Sequence, residues 1–257
     1  MVYTLDMDGA RAESYWSRLG RMAGVRAGGR RLYERAHYLA AEMPVDPRAA
    51  RRWLPRSLGL ASPARATLFL AWFPWTSFGS AYREAGLFLH VRHLGVRAVC
   101  SPWMIVDDDV ALVTGRELLG YPKKLGAIEL EIDGDSVAGR ASRRGAELFT
   151  MRGRLSGEVA DPPPILGRPH RNVRGAMGAA IPKLLAFTPR EEVVSVRRAE
   201  LEVTVRGSER DPLHELGLGP VSEARLHVVH LSAGAPPVPI GAVSPLWYAR
   251  QWLLRAH

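Results

Sequence analysis

The sequence predicts a mainly β protein of the α+β class, a single domain of largely antiparallel strands with a few flanking helices. Two observations indicate it. From residue 66 onward, short runs rich in valine, leucine and aromatic residues alternate with Gly, Pro and Asp at hairpin-like spacing. The chain has 257 residues, 47% of them hydrophobic and 24% charged, and β-rich folds of this length are often one unit. We therefore expect residues 1–257 to form one domain.

Helices are predicted near both ends of the chain. Residues 1–30 are basic and weakly helical. The segment "DPRAARRWLP", residues 46–55, begins with an Asp suited to an N-cap, has Pro in its first turn and ends at a second Pro, so it predicts a short helix. Residues 245–257, "PLWYARQWLLRAH", place apolar residues at helical spacing and predict an amphipathic helix.

Strands are predicted between these helices. The segments "DDD" at 107–109 and "DGD" at 133–135 indicate tight turns, and the proline-rich segment 159–169 indicates an ordered loop. The strand-like runs are "ATLFLAWF" (66–73), "AGLFLHVRHLG" (85–95), "VRAVCSPWMIVDDDVALVTG" (96–115), "LGAIELEIDGDSVAGRASRRGAELFTMRGRL" (125–155), "EEVVSVRRAELEVTVRG" (191–207) and "EARLHVVHL" (223–231).

The chain is basic, with a formal net charge of +9 and a pI of about 10.3. Such a charge can indicate a nucleic-acid partner, but the arginines are scattered and no nucleic-acid-binding motif accompanies them, so we expect a solvated arginine-rich surface and no such partner. The sequence has no 18-residue apolar span and no signal-peptide pattern, so no membrane partner is expected. Cys100 is the only cysteine, which excludes an internal disulfide, favours a cytoplasmic location and indicates a buried, inert thiol.

Several familiar catalytic and cofactor motifs are missing. The sequence has no G-x-S-x-G elbow, no strand-linked G-x-G-x-x-G and no G-x-x-x-x-G-K-[ST], so it predicts neither an α/β-hydrolase nor a nucleotide cofactor. The histidines at 90/93 and 227/230 are three residues apart within strands, so each pair points to opposite faces and is not expected to bind one metal. A Mg²⁺ site at 107–109 would lack a partner carboxylate.

The segment "GRELLGYPKKLG", residues 115–126, places two lysines after a proline in an apolar stretch punctuated by glycine. Attack on a ketone needs the neutral amine, and a lysine with an ordinary pKa near 10.4 is only about 0.04% neutral at pH 7. Burial can lower a lysine pKa by about 3–5 units. Burial is the larger effect on Lys123, because Lys124 points to the opposite side of an extended chain. The apolar neighbours that would bury it are Leu118, Leu119, Tyr121 and Leu125. A solvated turn with two ordinary lysines is the alternative.

The same segment resembles the signature of the acetoacetate decarboxylase-like superfamily, G-R-E-x-x-x-Y/F-P-K-K-L. The resemblance implies that Lys123 forms a Schiff base with a substrate carbonyl and that Lys124 helps to lower its pKa. Activation of a lysine by an apolar pocket or a cationic neighbour is the recognised mechanism of acetoacetate decarboxylase itself. "YREAG", residues 82–86, resembles the family's Y-x-E-x-G and places Glu84 on an active-site glutamate; a solvated strand residue is the alternative.

The resemblance is specific over about residues 80–126 and loose from about residue 35 to the C-terminus, while residues 1–30 match nothing and are treated as a variable N-terminal extension. It implies a closed, cone-like antiparallel β-barrel with flanking helices, assembled as a homo-oligomer. It also implies that Tyr121 and Met104 line the substrate pocket, although core packing explains a methionine equally well.

Two departures from the family pattern bear on the reaction. Acetoacetate decarboxylases carry a second glutamate on the strand before Y-x-E-x-G, where this chain has Phe69. They also carry an early arginine that helps to hold the substrate carboxylate, and Arg35 lies one residue out of register with it. Related superfamily members with altered pockets resemble aldolase-dehydratases that join pyruvate-like oxo acids to aldehydes.

The favoured function is therefore aldol condensation and dehydration of a small oxo acid with an aldehyde, through an imine on Lys123. Glu84 is the candidate for the proton transfers. No metal or organic cofactor is expected, because the iminium acts as the electron sink. Decarboxylation of acetoacetate or another 3-oxo acid is the first alternative, and a non-catalytic small-molecule binding protein is the second.

Overall fold

The computed structural model describes residues 31–175 and 181–256, with side chains as far as residue 251. The predicted helical character of residues 1–30, and their status as an extension, lie outside this part. The strands of the described part are, in chain order, β1 (Arg31–Pro44), β2 (Gly59–Leu60), β3 (Arg65–Phe73), β4 (Trp75–Thr76), β5 (Tyr82–His93), β6 (Val96–Val106), β7 (Lys123–Leu125), β8 (Ala127–Asp133), β9 (Ser136–Arg143), β10 (Ala146–Glu158), β11 (His170–Arg174), β12 (Lys183–Phe187), β13 (Arg190–Val205), β14 (Glu223–Ser232) and β15 (Val238–Ala242).

The helices of the same part are α1 (Pro47–Arg52), α2 (Asp109–Leu119) and α3 (Pro245–Ala256), together with a short 3₁₀ turn over Leu213–Leu216. The predicted helices at 46–55 and 245–257 are confirmed. Asp46 caps α1 as expected, since its side chain accepts hydrogen bonds from the backbone N–H groups of Arg48 and Ala49. In the described ranges no helix is both long and apolar enough to cross a membrane.

The strands form one sheet with the hydrogen-bonded order β15-β12-β11-β6-β5-β3-β1-β14-β13-β10-β9-β8, and β2, β4 and β7 pair with β5, β1 and β6. Neighbouring strands are antiparallel, except that β6 runs parallel to β7 and to β11. The mainly β, antiparallel prediction is confirmed. The implied closure is not found in the described ranges: β8 packs face to face against β3 and β5, so it does not reach β15 to complete a barrel.

Both faces of the central strands are buried, which explains why their sequences are apolar without clear alternation. In β3, Leu68 and Leu70 belong to one core cluster, and Phe69, Ala71 and Phe73 belong to another on the opposite face. The first cluster lies between β3, β5, β6 and the β8–β10 meander. The second contains most of the aromatic side chains and surrounds the site described below.

Helix α2 lies in a segment that the sequence indicated as strand, so that part of the strand prediction for residues 96–115 is wrong. The strand β6 ends at Val106, and Asp108 then caps α2 by accepting a hydrogen bond from the N–H of Ala111 at 2.7 Å. The "DDD" segment is therefore a strand end and a helix cap rather than a tight turn, and Asp107 pairs with Arg83. The turn at 133–135 is confirmed, with Gly134 at a φ of 55° between β8 and β9.

Candidate active site

The motif 115–126 forms the end of α2, a tight turn and the short strand β7. Gly120 ends the helix in the left-handed region at φ 68°, where glycine avoids the strain of a side chain. The N–H of Lys123 then donates to the carbonyl of Tyr121 at 2.8 Å, so the chain bends sharply around Pro122. In β7, Lys123 and Lys124 lie beside Met104 and Ile105 of β6. The motif therefore aims the two lysines in opposite directions.

Gly115 and Arg116 hold Lys123 from the side of α2. A Cβ at position 115 would lie 2.6 Å from both Cδ and Cε of Lys123, so only glycine leaves room for the lysine stem. Arg116 donates from Nη1 to the carbonyl of Lys123 at 3.2 Å. A glycine inside a helix lowers the stability of the protein by roughly 0.5–1 kcal/mol relative to alanine. The close packing of Lys123 explains why a glycine is nevertheless found at position 115.

Lys123 and Glu84 form a buried ion pair at the centre of the site. Nζ of Lys123 lies 2.7 Å from Oε2 of Glu84, and their side chains are only 6% and 7% exposed. Glu84 lies on β5, opposite Val106 of β6. Burial of the two charges is expensive unless they remain paired. Lys123 is therefore not on a solvated turn, and Glu84 is not a solvated strand residue.

The rings of Tyr82 and Tyr121 lie beside the pair, whereas two of the leucines expected there do not. Nζ of Lys123 lies 5.5 Å from the ring centroid of Tyr82 and 5.8 Å from that of Tyr121. Leu118 and Leu125 are 39% and 55% exposed, so they do not bury the amine.

We call the buried tyrosine-lined surroundings of the Lys123–Glu84 pair the Lys123 chamber. The hydroxyls of its tyrosines stay protonated. Burial, and secondarily the charge of Glu84, raises the pKa of Tyr33 to about 12. The same two causes, with burial the larger, raise the pKa of Tyr38 and Tyr121 well above the ordinary value. Burial is also the main cause for Tyr82, with Tyr33 and Glu84 adding to it. These side chains therefore add no negative charge beside Glu84, and Tyr82, whose ring lies next to Nζ of Lys123, keeps a hydroxyl that can donate.

A row of paired residues runs across four strands to Lys123. Phe69 of β3 pairs with Gly86 of β5, Gly86 with Met104 of β6, and Met104 with Lys123. A Cβ at Gly86 would lie 2.5 Å from Cζ of Phe69 and 3.1 Å from the methyl carbon of Met104, so both side chains lie over this glycine. The structure thus brings Phe69, Met104 and Tyr121 into the same core cluster.

Tyr121 is held by His170, which the sequence did not single out. The Tyr121 hydroxyl lies 3.2 Å from Nδ1 of His170, and Nε2 of His170 lies 3.2 Å from the Leu166 carbonyl. Burial lowers the pKa of His170 to about 3, so the ring is neutral. Because the carbonyl can only accept, Nε2 carries the proton and Nδ1 accepts from Tyr121. A neutral histidine therefore orients the tyrosine ring toward Lys123.

Lys124 leaves β7 on the other face and pairs with Asp211, a second residue that sequence reasoning missed. The Asp211 carboxylate also accepts from Nε1 of Trp103 at 2.8 Å and from Nη1 of Arg143 at 3.1 Å. Burial lowers the pKa of Lys124 to about 8, although Asp211 acts in the opposite direction. Burial alone would raise the pKa of Asp211, but Lys124, Trp103 and Arg143 outweigh it and hold that pKa below its usual range.

Arg35 is not brought to the Lys123–Glu84 pair. It lies at a bulge of β1 with φ 49°, its side chain is exposed, and its backbone N–H donates to Nδ1 of His230 at 3.3 Å. After burial, the charge of Arg35 is the next cause that lowers the pKa of His37. Within residues 31–175 and 181–256 no group of three or more His, Cys, Asp or Glu residues could hold a metal ion.

Gly115→Ala is expected to impair the chemistry of Lys123 without unfolding the protein. The new methyl group must push the lysine stem away from Glu84, and a displacement of about 1 Å can cost roughly 10²-fold in rate. Alanine is favoured in a helix by about 1 kcal/mol, which offsets part of the roughly 1–3 kcal/mol cost of overpacking beside the buried pair, so the protein should stay folded with a modestly lower melting temperature. Borohydride trapping rates with pyruvate and thermal unfolding measure the two effects. Gly157→Ala, where a Cβ would meet open space, is the matched control; trapping of Gly115→Ala at the wild-type rate would contradict the packing argument.

The fold and the site define a curved β-sheet protein with a lysine–glutamate pair buried among tyrosines. Over residues 20–238 the chain matches the family model described as acetoacetate decarboxylase, and it belongs to that family. It is 35% identical over 102 residues to an acetoacetate decarboxylase of Chromobacterium violaceum, a match that spans 40% of this chain and 41% of that relative. The matched region is therefore less than half of the relative's length.

Solved structures share the fold. One acetoacetate decarboxylase structure superimposes with a TM-score of 0.76 at 21% identity, over 83% of this chain and 90% of that one. The enduracididine biosynthesis enzyme MppR in complex with pyruvate superimposes with a TM-score of 0.66 at 20% identity, over 83% and 89% of the two chains. The same enzyme has been solved with the condensation product of pyruvate and imidazole 4-carboxaldehyde, with a TM-score of 0.62 at 19% identity, over 82% and 88%.

Proposed function

We propose that this protein is a lysine-dependent enzyme that acts on carbon–carbon bonds of small oxo acids, and that it favours aldol condensation and dehydration of a pyruvate-like acid with an aldehyde. The observation that carries the proposal is the 2.7 Å contact between Nζ of Lys123 and Oε2 of Glu84, both of which are largely buried. At this distance a proton can pass from the ammonium to the carboxylate, which leaves the neutral amine needed for attack.

The first stage forms an iminium on Lys123. The amine attacks the ketone carbon while Glu84, now protonated, supplies the proton to the developing alkoxide. The nitrogen, which became positively charged on attack, returns its extra proton to Glu84, and Glu84 passes that proton to the carbinolamine hydroxyl. The hydroxyl leaves as water while the freed lone pair of nitrogen forms the C=N⁺ bond. The hydroxyl of Tyr82, whose ring lies next to Nζ of Lys123, is the candidate donor to the oxygen during these steps. The iminium is a strong electron sink next to the carbon that must become a carbanion.

The second stage forms an enamine. Glu84, as a carboxylate again, removes a proton from the carbon beside the iminium, and the C–H bonding electrons move to form C=C as the iminium becomes an amine. The enamine carbon attacks an aldehyde carbon, whose oxygen takes up the proton from Glu84. Glu84 then removes a second proton from the same carbon and passes it to the new hydroxyl, which leaves as water while the C–H electrons form the C=C bond. Hydrolysis of the iminium releases an unsaturated oxo acid and restores the amine of Lys123. In a decarboxylation, the bond to CO₂ breaks instead and its electrons take the same path.

Two residues favour the aldol route over decarboxylation. Phe69 brings an apolar ring to the place of a second carboxylate, and Arg35 points away from the pair, so neither could hold the carboxylate of acetoacetate. The fold shared with MppR, which has been solved with pyruvate and with an aldol-type condensation product, is in keeping with this choice. The name of the Chromobacterium relative favours decarboxylation as the second candidate. We extend the proposal to a homo-oligomer, as the family resemblance implies.

The proposed reaction can be tested on the wild-type protein by comparing two readouts. We expect borohydride to fix pyruvate or acetoacetate to the protein, as seen by intact mass, and we expect deuterium to enter the pyruvate methyl group in D₂O, as followed by NMR. Release of CO₂ from acetoacetate should be weak or absent, since Phe69 stands where a second glutamate is expected and Arg35 lies on an exposed bulge of β1.

The outcomes separate the candidate functions. Exchange without CO₂ release supports the aldol-type enzyme. Rapid CO₂ release, well above the rate of pyruvate exchange, would establish the decarboxylase instead. A soluble, folded protein that borohydride leaves unmodified with every oxo acid tried would be a binding protein. Lys124 is expected to be secondary, because Asp211 compensates its charge on the opposite face.

A further inference from the structure

A second polar pocket opens on the aromatic face of the sheet, away from Lys123. Its polar walls are Glu42 from β1, Thr67 from β3, Glu223, Arg225 and His227 from β14, and Arg168 from the loop that precedes β11, with Ala40 and Ile165 among the apolar ones. We call it the arginine pocket. Its free interior has room for about one water molecule, so it fits the end group of a small molecule rather than a whole metabolite.

Arg168 has several side-chain N–H donors without a protein acceptor in the described part of the pocket. Its side chain is largely covered, and burial lowers its pKa, but a guanidinium stays protonated in proteins. Among the described residues its side chain makes one hydrogen bond, from Nε to the carbonyl of Ile165 at 3.0 Å. The two Nη groups therefore have four N–H donors without a protein acceptor. Such a fork matches the two oxygens of a carboxylate.

The acidic side chains near Arg168 have other partners. Glu223 pairs with Arg225, and Glu42 lies 3.6 Å from Arg65. Glu191 accepts from the backbone N–H groups of residues 165, 166 and 167, at 3.1, 2.6 and 2.6 Å, which fixes the loop that carries Arg168. The acids thus hold the pocket in shape. Glu42 and Glu191 favour the charged form of Arg168, but neither accepts a hydrogen bond from its Nη groups among the described residues.

His227 supplies a second polar wall. It is 3% exposed, and its Nδ1 is buried without a hydrogen-bond partner among the described residues. Burial, then Arg225 and Arg168, lower its pKa to about 4, so its ring is neutral and offers one N–H donor at pH 7. Beside it, the Thr67 hydroxyl lies 2.9 Å from Nε2 of His90. A buried polar atom without a partner is costly, and a bound group could remove that cost.

Phe69 separates this pocket from the Lys123 chamber. Ala40, a wall of the pocket, pairs with Phe69, and Phe69 begins the row through Gly86 and Met104 to Lys123. The ring of Phe69 is fully buried and stacks on Phe88 at 4.9 Å between centroids. The pocket and the Lys123–Glu84 pair therefore lie on one face of the sheet, with Phe69 between them in the strand register.

We propose that the arginine pocket is a carboxylate-binding site, in which the Arg168 fork grips the two oxygens of a small organic acid beside His227 and Thr67. This assignment does not rest on the reaction proposed for Lys123. The acid has two sources: a separate small molecule, or the far end of an oxo acid whose ketone reaches Lys123 past Phe69.

Propionate is the probe for a direct binding test on the full chain. NMR titration of wild type should shift the backbone amides of Thr67, Ile165 and Arg168 together, and propionamide, which has no charge, should not shift them. Arg168→Gln should weaken propionate binding at least 10-fold, while Arg140→Gln, which removes an exposed arginine elsewhere, should leave it unchanged. Lys123→Ala should bind propionate like wild type, which separates this site from the candidate active site.

Either of two results would overturn the assignment: no shift at these amides, or equal affinity for wild type and Arg168→Gln. If Arg168→Gln does not fold, Arg168→Lys keeps the charge and loses the fork, and it should still weaken binding several-fold. Competition distinguishes the sources. If propionate competitively slows borohydride trapping of an oxo acid, the pocket is one end of the substrate site. If propionate leaves trapping unchanged, the pocket binds a separate ligand.

Discussion

Lys123→Ala is expected to remove all of the oxo-acid mass that borohydride fixes to the protein, and to reduce deuterium exchange into pyruvate to the rate in buffer. The reason is chemical, because the iminium needs an amine and the other amine in the motif, Lys124, lies on the opposite face against Asp211. Intact mass and peptide mapping after reduction measure the first effect, and NMR measures the second. Lys183→Arg, which alters an exposed lysine, is the matched control and should trap like wild type.

Loss of Lys123 also leaves Glu84 buried without its partner, which can cost about 3–5 kcal/mol. The double variant Lys123→Ala/Glu84→Gln removes the unpaired charge, so a folded, inactive double variant separates lost chemistry from lost stability. Mass that persists in Lys123→Ala and maps to Lys124 or Lys183 would contradict the assignment of the nucleophile.

Glu84→Gln is expected to slow deuterium exchange about 10²–10⁴-fold, the usual contribution of a positioned acid–base group, while borohydride still traps some imine. Glutamine keeps the size of glutamate and an oxygen that can accept from Nζ of Lys123, but it cannot take up or return a proton. Exchange rates measured by NMR at saturating pyruvate, beside trapping yields, provide the comparison. Glu129→Gln, on an exposed ion pair with Arg140, is the control. If Glu84→Gln exchanges as fast as wild type, Glu84 serves only as the partner of the ammonium.

Local chemistry made the lysine site predictable. The proline and the flanking glycines of the motif indicated a bend, and strand geometry indicated that Lys123 and Lys124 diverge, as the structure confirms. The apolar runs likewise predicted the central strands. The source of burial was predicted only in part: Tyr121 of the motif lies beside Nζ of Lys123 as expected, but Leu118 and Leu125 face solvent, and Tyr82 from β5 supplies the other ring.

The parts that could not be predicted depend on contacts between distant segments. Asp211 is 87 residues from Lys124, and His170 is 49 residues from Tyr121, so no local pattern pairs them. His170 lies in the arginine-rich segment "GRPHRNVRG", whose sequence indicates a basic surface and gives no sign that this histidine is buried. Helix α2 was not predicted for another reason. Its valine and leucine residues favour a strand, and they obscured the Asp cap and the terminal glycine, which indicate a helix.

The buried lysine pair has a further consequence for labelling chemistry. Of the 35 basic residues other than histidine, only Lys123, Lys124 and Lys183 are lysines, and arginine supplies the rest. Reagents that acylate amines do not modify arginine side chains, so Lys183 is the exposed lysine they can reach in the described part of the folded chain. Acylation of a second lysine then requires the sheet to open around β7. The rate of that second acylation reports how often the chamber admits a molecule from solvent, and substrate bound within it should slow the reaction.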